Sequence, residues 1–518
     1  MTKQNQFILE ILKQALKKRP QCDAELLAIK RQACKKMKIA ATPTNTLILK
    51  KYQQLVKLGK IKPNLSLEKV LRKRGVRTMS GVAVISVLTK SEDCPGSCLF
   101  CPTEANMPKS YLSNEPAVMR AIVNNFDPYK QVANRLKALQ VNGHVTDKCE
   151  LIVIGGTWSY LGKKYQTDFI KRCFDGFNGN KAKNLEQAKK RNEKAKNRVI
   201  GITLETRPDY INEEEIIRMR KLGATRVELG IQTTNENILI KNRRGHGLKA
   251  SIEAIKLLKQ AGFKITAHFM PDMYGATPAK DLTAYKKMFE SSAWQPDQVK
   301  IYPCVVTKNS DLYKLYKSGE HKPYSDKVLQ KLLIMIKAAT PPYVRISRLI
   351  RDIPAESIEG GNKITNLRQL LQNQGAQCSC IRCREARGKK VTLKDIKLVK
   401  RQYQASGGTE IFLSYESKDK KVLYAFLRLR LQKNVSWYSV LENAALIREL
   451  HTYGELMALK SKNKKVQHAG FGKRLMLEAE KIAKQKGYHK IAVISGVGVR
   501  EYYRKLGYQL EDEYMVKN

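Results

Sequence analysis

The chain has 518 residues, is 42% hydrophobic and carries 97 Lys and Arg against 47 Asp and Glu, a formal charge of +50. That length allows several cored domains and that apolar content excludes a disordered chain, while the lack of a long apolar run or leader pattern predicts a cytoplasmic protein with no membrane span. So large a cationic excess points to a polyanionic partner, nucleic acid ahead of a lipid surface, with a merely Lys-rich composition as the alternative.

Residues 1–79 hold 20 Lys and Arg against 4 Asp and Glu. Apolar residues at helical spacing in FILEILKQAL and TLILKKYQQLVKLGK, punctuated by Pro20, Pro43 and Pro63, predict a basic helical module, either an RNA clamp or a solvated surface. Gly81 to Thr89, GVAVISVLT, then predicts a buried strand. It leads into SEDCPGSCLFCPTEANM, where Cys94, Cys98 and Cys101 have three and then two residues between them. Three thiolates so spaced can ligate three irons of a 4Fe–4S cluster and leave the fourth open to a small chelating cofactor. For the triplet alone a zinc knuckle is the alternative. Eleven cysteines, six of them in two tight clusters, favour metal sites in a reducing compartment over disulfides.

From there to about Asn373 the apolar runs LIVIGG, VIGITLE, RVELGIQ, ITAHFMP and VKIYPC alternate with helical segments. This is the βαβ signature of a parallel sheet, here a partial βα barrel. Gly155 and Gly156 end LIVIGG, where the backbone can approach a ligand or simply turn. The charge-dense stretch from Asn178 to Arg198 predicts an exposed helix face. Cys378, Cys380 and Cys383, at C-x-C-x-x-C spacing, predict a structural zinc clasp between two domains, with His321 and Cys304 as candidates for the fourth ligand. Further on, TEIFLSYE and VLYAFLRLR flank a polar turn, and QHAGFGKRLMLEAEKIAKQKG is a glycine turn opening a helix, a cradle suited to pyrophosphate.

Taken in order, RTMSGVAVISVLTK, EPAVMRAIVNNFDPYKQV, IVIGGTW, ETRPDYI, ELGIQT and KIYP resemble the family of Elongator catalytic subunits, which joins a radical S-adenosylmethionine domain to an acetyltransferase-like domain. The stretch KIAVISGVGVREYYRKLGYQLEDEYMVK is similar to the acetyl-CoA-binding GNAT fold. The resemblance implies an α/β protein in four parts: a basic helical tRNA-binding region over 1–79, a radical domain over 80–375, a zinc-binding linker over 376–390 and a GNAT-like domain over 391–518. It implies that Cys94, Cys98 and Cys101 hold the cluster, that Gly155 and Gly156 support the amino acid end of S-adenosylmethionine, and that Lys148 contacts acetyl-CoA. Glu449, Leu450, His451 and Thr452 would line the pantetheine, Gly470, Phe471, Gly472 and Lys473 the pyrophosphate, and Tyr503 the thioester, with Lys300 nearby.

Two departures stand out: a gap between the first two cysteines shorter than the family's, and MPDMYGATP in place of its MPGLPGATP. The implied reaction makes 5-carboxymethyluridine at the wobble position of tRNA from acetyl-CoA by radical chemistry. Its partners are tRNA and an electron donor, with a homodimer or partner subunits left open. A protein lysine acetyltransferase and a tRNA-binding protein with inactive sites are the alternatives.

Overall fold

The computed structural model describes residues 3–72, 81–386, 395–432, 435–453 and 470–518. Parts of the sequence readings, namely the end of the basic module, the junction near 390 and the start of the glycine turn, lie outside them. Four helices come first: α1 (Lys3–Lys18), α2 (Asp23–Met37), α3 (Asn45–Lys57) and α4 (Leu65–Leu71). Their apolar stripes close a small core around Ile11, Leu12, Ala33, Ile48, Tyr52 and Leu71. Thr44 and Asn64 cap α3 and α4 by accepting the backbone N–H three residues on. Opposite that core the surface is left to lysines, so the predicted basic module is a bundle with its own interior.

Seven strands follow: β1 (Ala83–Leu88), β2 (Lys148–Ile154), β3 (Arg198–Thr206), β4 (Arg226–Gln232), β5 (Lys264–Phe269), β6 (Gln298–Ile301) and β7 (Arg345–Arg348). They lie side by side in chain order, all parallel, as the βαβ alternation predicts. Helices cover one face and the sheet does not close, leaving a half-barrel whose other face is free to hold a site. All seven residues of β4 are buried, which accounts for the unbroken run RVELGIQ.

A second seven-stranded sheet is built from β8 (Ile396–Ala405), β9 (Gly408–Ser417), β10 (Leu423–Gln432), β11 (Ala444–Thr452), β12 (Lys490–Val493), β13 (Gln509–Glu511) and β14 (Tyr514–Lys517). Its order is β13-β14-β12-β11-β10-β9-β8. Ser406 and Gly407, both at positive φ, make the tight turn between β8 and β9. β11 and β12 are the one parallel pair, and they pair only over Ala444–Ile447. The ladder to β12 ends at Ile447, where β12 itself ends, and among the described residues β11 runs on to Thr452 paired with β10 alone.

The two sheets share one interior. Leu446, Tyr438, Tyr514 and Val516 pack into the same apolar core as β1 to β7. At the seam Arg448 reaches Asp297 at 2.6 Å and Glu410 at 2.9 Å, with Lys259, Arg428 and Arg430 around them, all at most 1% exposed. Charges so deep need every partner, because removing one strands the other in a medium that cannot solvate it.

The charge-dense stretch presents the expected exposed face, with Lys183, Glu186, Lys190, Arg191 and Lys194 exposed, and its other side forms a second seam that the sequence reading lacked. There helix Leu185–Asn192 buries Lys189, whose Nζ reaches Glu513 at 2.6 Å, and Asn192. That inner side is a joint between the two sheets.

Candidate active site

The loop after β1 carries Cys94, Cys98 and Cys101, and backbone bonds pin it: Leu99 N–H to Asn242 O at 3.2 Å, and Leu312 N–H to Leu99 O at 2.8 Å. Leu99 and Phe100 anchor it in a satellite core with Ile238, Met273, Cys304 and Leu312. Two guanidiniums attend the thiols. Arg244 donates from Nη1 to the Cys98 sulfur at 3.4 Å and from Nη2 to Gly230 O at 2.6 Å. A Cβ on Gly96 would fall 2.1 Å from Arg207 Nη1, so only glycine lets that guanidinium lie against the loop. A hydrogen bond with Cys101 holds the Cys98 thiol below its ordinary range against the push of burial, and the Arg244 charge helps.

Arg207 Nη1 and Arg244 Nε are buried donors with no hydrogen-bond partner among the described residues. A cationic, donor-rich rim around three thiols suits a cluster with an anionic chelating cofactor. Gly155 (φ 138°) and Gly156 (φ 93°) turn the chain beside it; a Cβ at Gly155 would meet Thr89 Oγ1 at 2.0 Å. Gly156 and Thr157 face the same space, and Cys94 Sγ lies 3.8 Å from Thr157 Oγ1.

This loop opens on a cavity of about 1100 Å³ that runs along the inner face of the half-barrel to β10 and β11 of the second sheet. From the cysteines inward the wall is one chain of contacts. Arg351 bonds Ser110 and Glu115 and lies over the Tyr111 ring. Tyr111 donates to Glu205 at 2.7 Å, and the other Glu205 oxygen lies 3.8 Å from His268 Nδ1. His268 Nε2 is 3.0 Å from Glu228, which also pairs with Lys300. Burial pushes the Glu228 carboxyl up, but Lys300, His268 and Arg226 outweigh it and hold it ionised. Burial likewise works against the Lys300 cation and Glu228 restores it, leaving Lys300 above its ordinary range.

At the far end stand Arg345, Cys383, Phe426, Glu449, His451 and Tyr453. Arg428 Nε donates to Glu449 at 3.0 Å, while His451 clusters with the rings of Phe426 and Tyr453. Burial pushes the His451 imidazole down to about 4. Leu450 and Thr452 point the other way, toward Gly472. The four residues expected around the pantetheine are thus divided by the strand's alternation, and their backbone pairs with β10 on one side while the ladder to β12 has ended at Ile447.

Helix Phe471–Gln485 begins at Gly470 in the left-handed region (φ 69°) and packs Phe471 on Tyr415, while Lys473 is exposed. Tyr503 is in the core of the second sheet, its ring against Tyr502 and Tyr508. Tyr502, which the sequence left unassigned, puts its hydroxyl 3.2 Å from a Cβ built on Gly472. Lys148 opens β2, half-buried and in register with Arg198. It does not line the cavity; Glu150, two residues on, does.

The sulfurs of Cys378, Cys380 and Cys383 come within 4.8 Å of one another, a grouping that fits a single metal ion. Neither suggested fourth ligand joins them: Cys304 packs under the first cysteine loop and His321 lies against Tyr274. Cys380 is fully buried in the core shared by the two sheets, where a clasp would sit.

Glu205, Glu228 and His268 were missed from sequence. Glu205 and His268, like Lys300, are polar residues near the C-terminal end of an apolar strand run, while Glu228 stands inside β4; an ionisable side chain within ITLET, RVELGIQ and ITAHFMP is the signal that could have found them.

Residues 88–285 match the Radical SAM superfamily and 296–376 the Radical_SAM C-terminal domain. The tRNA uridine(34) acetyltransferase of Methanocaldococcus jannaschii is 46% identical, with 86% of each chain covered. Human Elongator complex protein 3 is 39% identical over 86% of each. The solved structure of Methanocaldococcus infernus Elp3 with an N-terminal deletion has a TM-score of 0.74 at 43% identity, covering 85% of this chain and 99% of that one.

Proposed function

Since the chain belongs to the family of the tRNA uridine(34) acetyltransferases and Elongator complex protein 3, we propose that it modifies uridine 34 of tRNA, building 5-carboxymethyluridine from acetyl-CoA. The observation that carries this reading is the single cavity joining the cysteine loop to β11. An amine acetyltransferase would not need a radical site at the other end of its substrate pocket. Nor is Glu449 placed as a base for an amine, since Arg428 and Lys264 occupy it.

Cys94, Cys98 and Cys101 would hold a 4Fe–4S cluster, Gly155, Gly156 and Arg207 the polar end of S-adenosylmethionine. When bound, that pair supplies the 5′-deoxyadenosyl radical able to take hydrogen from an unreactive methyl group. The backbone of Glu449–Thr452 on its β12 side and the turn Gly470–Lys473 would hold the thiol carrier, with Tyr502 rather than Tyr503 over the turn. The tether then delivers the acetyl group into the cavity, where Lys300 and Arg348 favour the carbonyl oxygen. Helices α1 to α4 and the +50 charge would draw in the tRNA, with salt sensitivity to match. Cys378, Cys380 and Cys383 would bind zinc and fix the angle between the sheets.

The test is an anaerobic reaction of the reconstituted enzyme with tRNA, S-adenosylmethionine and methyl-deuterated acetyl-CoA, read by mass spectrometry. Deuterium should appear in 5′-deoxyadenosine and a carboxymethyl group on uridine. Deoxyadenosine without deuterium would separate the two sites and return the second sheet to independent acetyl transfer.

A further inference from the structure

A carboxymethyl product requires that the thioester be hydrolysed, and the family relationship does not say which residues do it. The cavity offers two imidazoles, His268 and His451. His451 is a poor base: its Nε2 is buried without a hydrogen-bond partner among the described residues, and its ring packs on Phe426 and Tyr453. His268 is oriented. Glu228, paired with Lys300, can only accept, so in the neutral imidazole His268 Nε2 carries the proton and Nδ1 the lone pair.

That lone pair faces Glu205 Oε1 at 3.8 Å, too far for a direct bond. Glu205 is itself fixed, because its other oxygen takes the Tyr111 hydroxyl at 2.7 Å. Two fixed acceptors at that separation can share one water, which gives a proton to each and turns its own lone pair outward. Glu205 comes from β3, Glu228 from β4, His268 from β5 and Lys300 from β6, with Tyr302 just beyond it, so the site is assembled by four neighbouring strands.

We infer that a water held between His268 Nδ1 and Glu205 Oε1 hydrolyses the thioester after the new carbon–carbon bond has formed, with His268 as general base and Glu228 as the residue that positions it. This rests on the function proposed above. The water oxygen bonds to the thioester carbonyl carbon as His268 takes its proton. The carbon–sulfur bond then breaks, and the departing thiolate recovers the proton from His268, leaving a carboxylic acid and a free thiol.

The experiment uses the full-length, cluster-loaded enzyme with tRNA, S-adenosylmethionine and methyl-deuterated acetyl-CoA, quenched in hydroxylamine. In His268→Gln the amide still donates to Glu228 but cannot take a proton. Deuterated 5′-deoxyadenosine should persist, 5-carboxymethyluridine should fall about 100-fold, and a hydroxamate at uridine carbon 5 should report the retained thioester. Glu205→Gln keeps an acceptor for Tyr111 and should trap the same species; it decides the matter if the first variant fails to fold. Normal carboxymethyluridine in both variants, or loss of deuterated deoxyadenosine in step with product, overturns the inference. Wild-type enzyme that puts no deuterium into deoxyadenosine overturns the function itself, and this step with it.

Discussion

The two cysteine triplets differ only in their first gap, three residues against one, yet their surroundings have little in common. Cys94, Cys98 and Cys101 stand on a loop rimmed by Arg207 and Arg244 and open on the large cavity. Cys378, Cys380 and Cys383 draw their sulfurs together within 4.8 Å, at the start of a four-residue helix that carries Cys383 between the sheets. The first arrangement has room and cationic donors for a bulky anionic assembly; the second has room for one ion. Thiol spacing therefore narrows the metal chemistry, but the neighbouring volume and charge decide it.

Breaking the first site should give the largest effect. Cys98→Ala should abolish the iron–sulfur absorbance and all deoxyadenosine formation, with zinc content by elemental analysis unchanged. If iron binding survives, the two triplets have been assigned the wrong way round. Cys380→Ser should do the reverse, losing zinc and keeping iron. Its cost should appear as stability, lowering the unfolding free energy by about 3 kcal/mol or more in denaturant titration, since a buried structural site is lost.

A subtler change sharpens the contrast. Arg244→Gln removes a cation and a donor from the Cys98 sulfur, so the cluster potential should move negative by roughly 60 mV, the one-electron equivalent of about 1.4 kcal/mol. Spectroelectrochemistry reads this directly, and an unchanged potential would mean that Arg244 serves only to pin the loop.

The smallest effect lies behind the first loop. Burial raises Asp272 to about 8 from its ordinary 3.8, with Tyr324 N–H on its carboxyl at 2.9 Å. The fold thus favours the protonated acid: this contribution to stability is full below about pH 4 and is lost as pH rises through 8. Asp272→Asn, uncharged throughout, should gain about 2–4 °C in Tm on the wild type between pH 5 and pH 9. A constant difference across that range would show that Asp272 is ionised in the fold.

Much of this was legible because it is local. The period of the apolar runs pointed to six of the seven parallel strands, all but β7, and the cysteine spacings pointed to metal. What stayed hidden depends on partners far along the chain. Lys189 reads as surface until Glu513 is placed beside it, 324 residues away. Glu205, Glu228 and His268 are one polar residue each in three apolar runs, and only parallel register puts them on one wall. Tyr502 and Tyr503 are adjacent in the helix that follows the C-terminal glycine turn, so helical rotation alone settles which one meets Gly472.

The joint at Lys189 also constrains the order of synthesis. Lys189 and Arg220 are both nearly inaccessible to water, and both end on Glu513, one through its carboxylate and one through its backbone oxygen. Until Glu513 is made, Lys189 has among the described residues only Lys221 O and Glu186 as partners and Arg220 only Ala224 O, so this joint is completed by one of the last residues of the chain. The cysteine loop of residues 94–101, by contrast, draws on nothing later than Leu312 for its backbone bonds. Its backbone partners are therefore all synthesised some two hundred residues before Glu513 closes the joint.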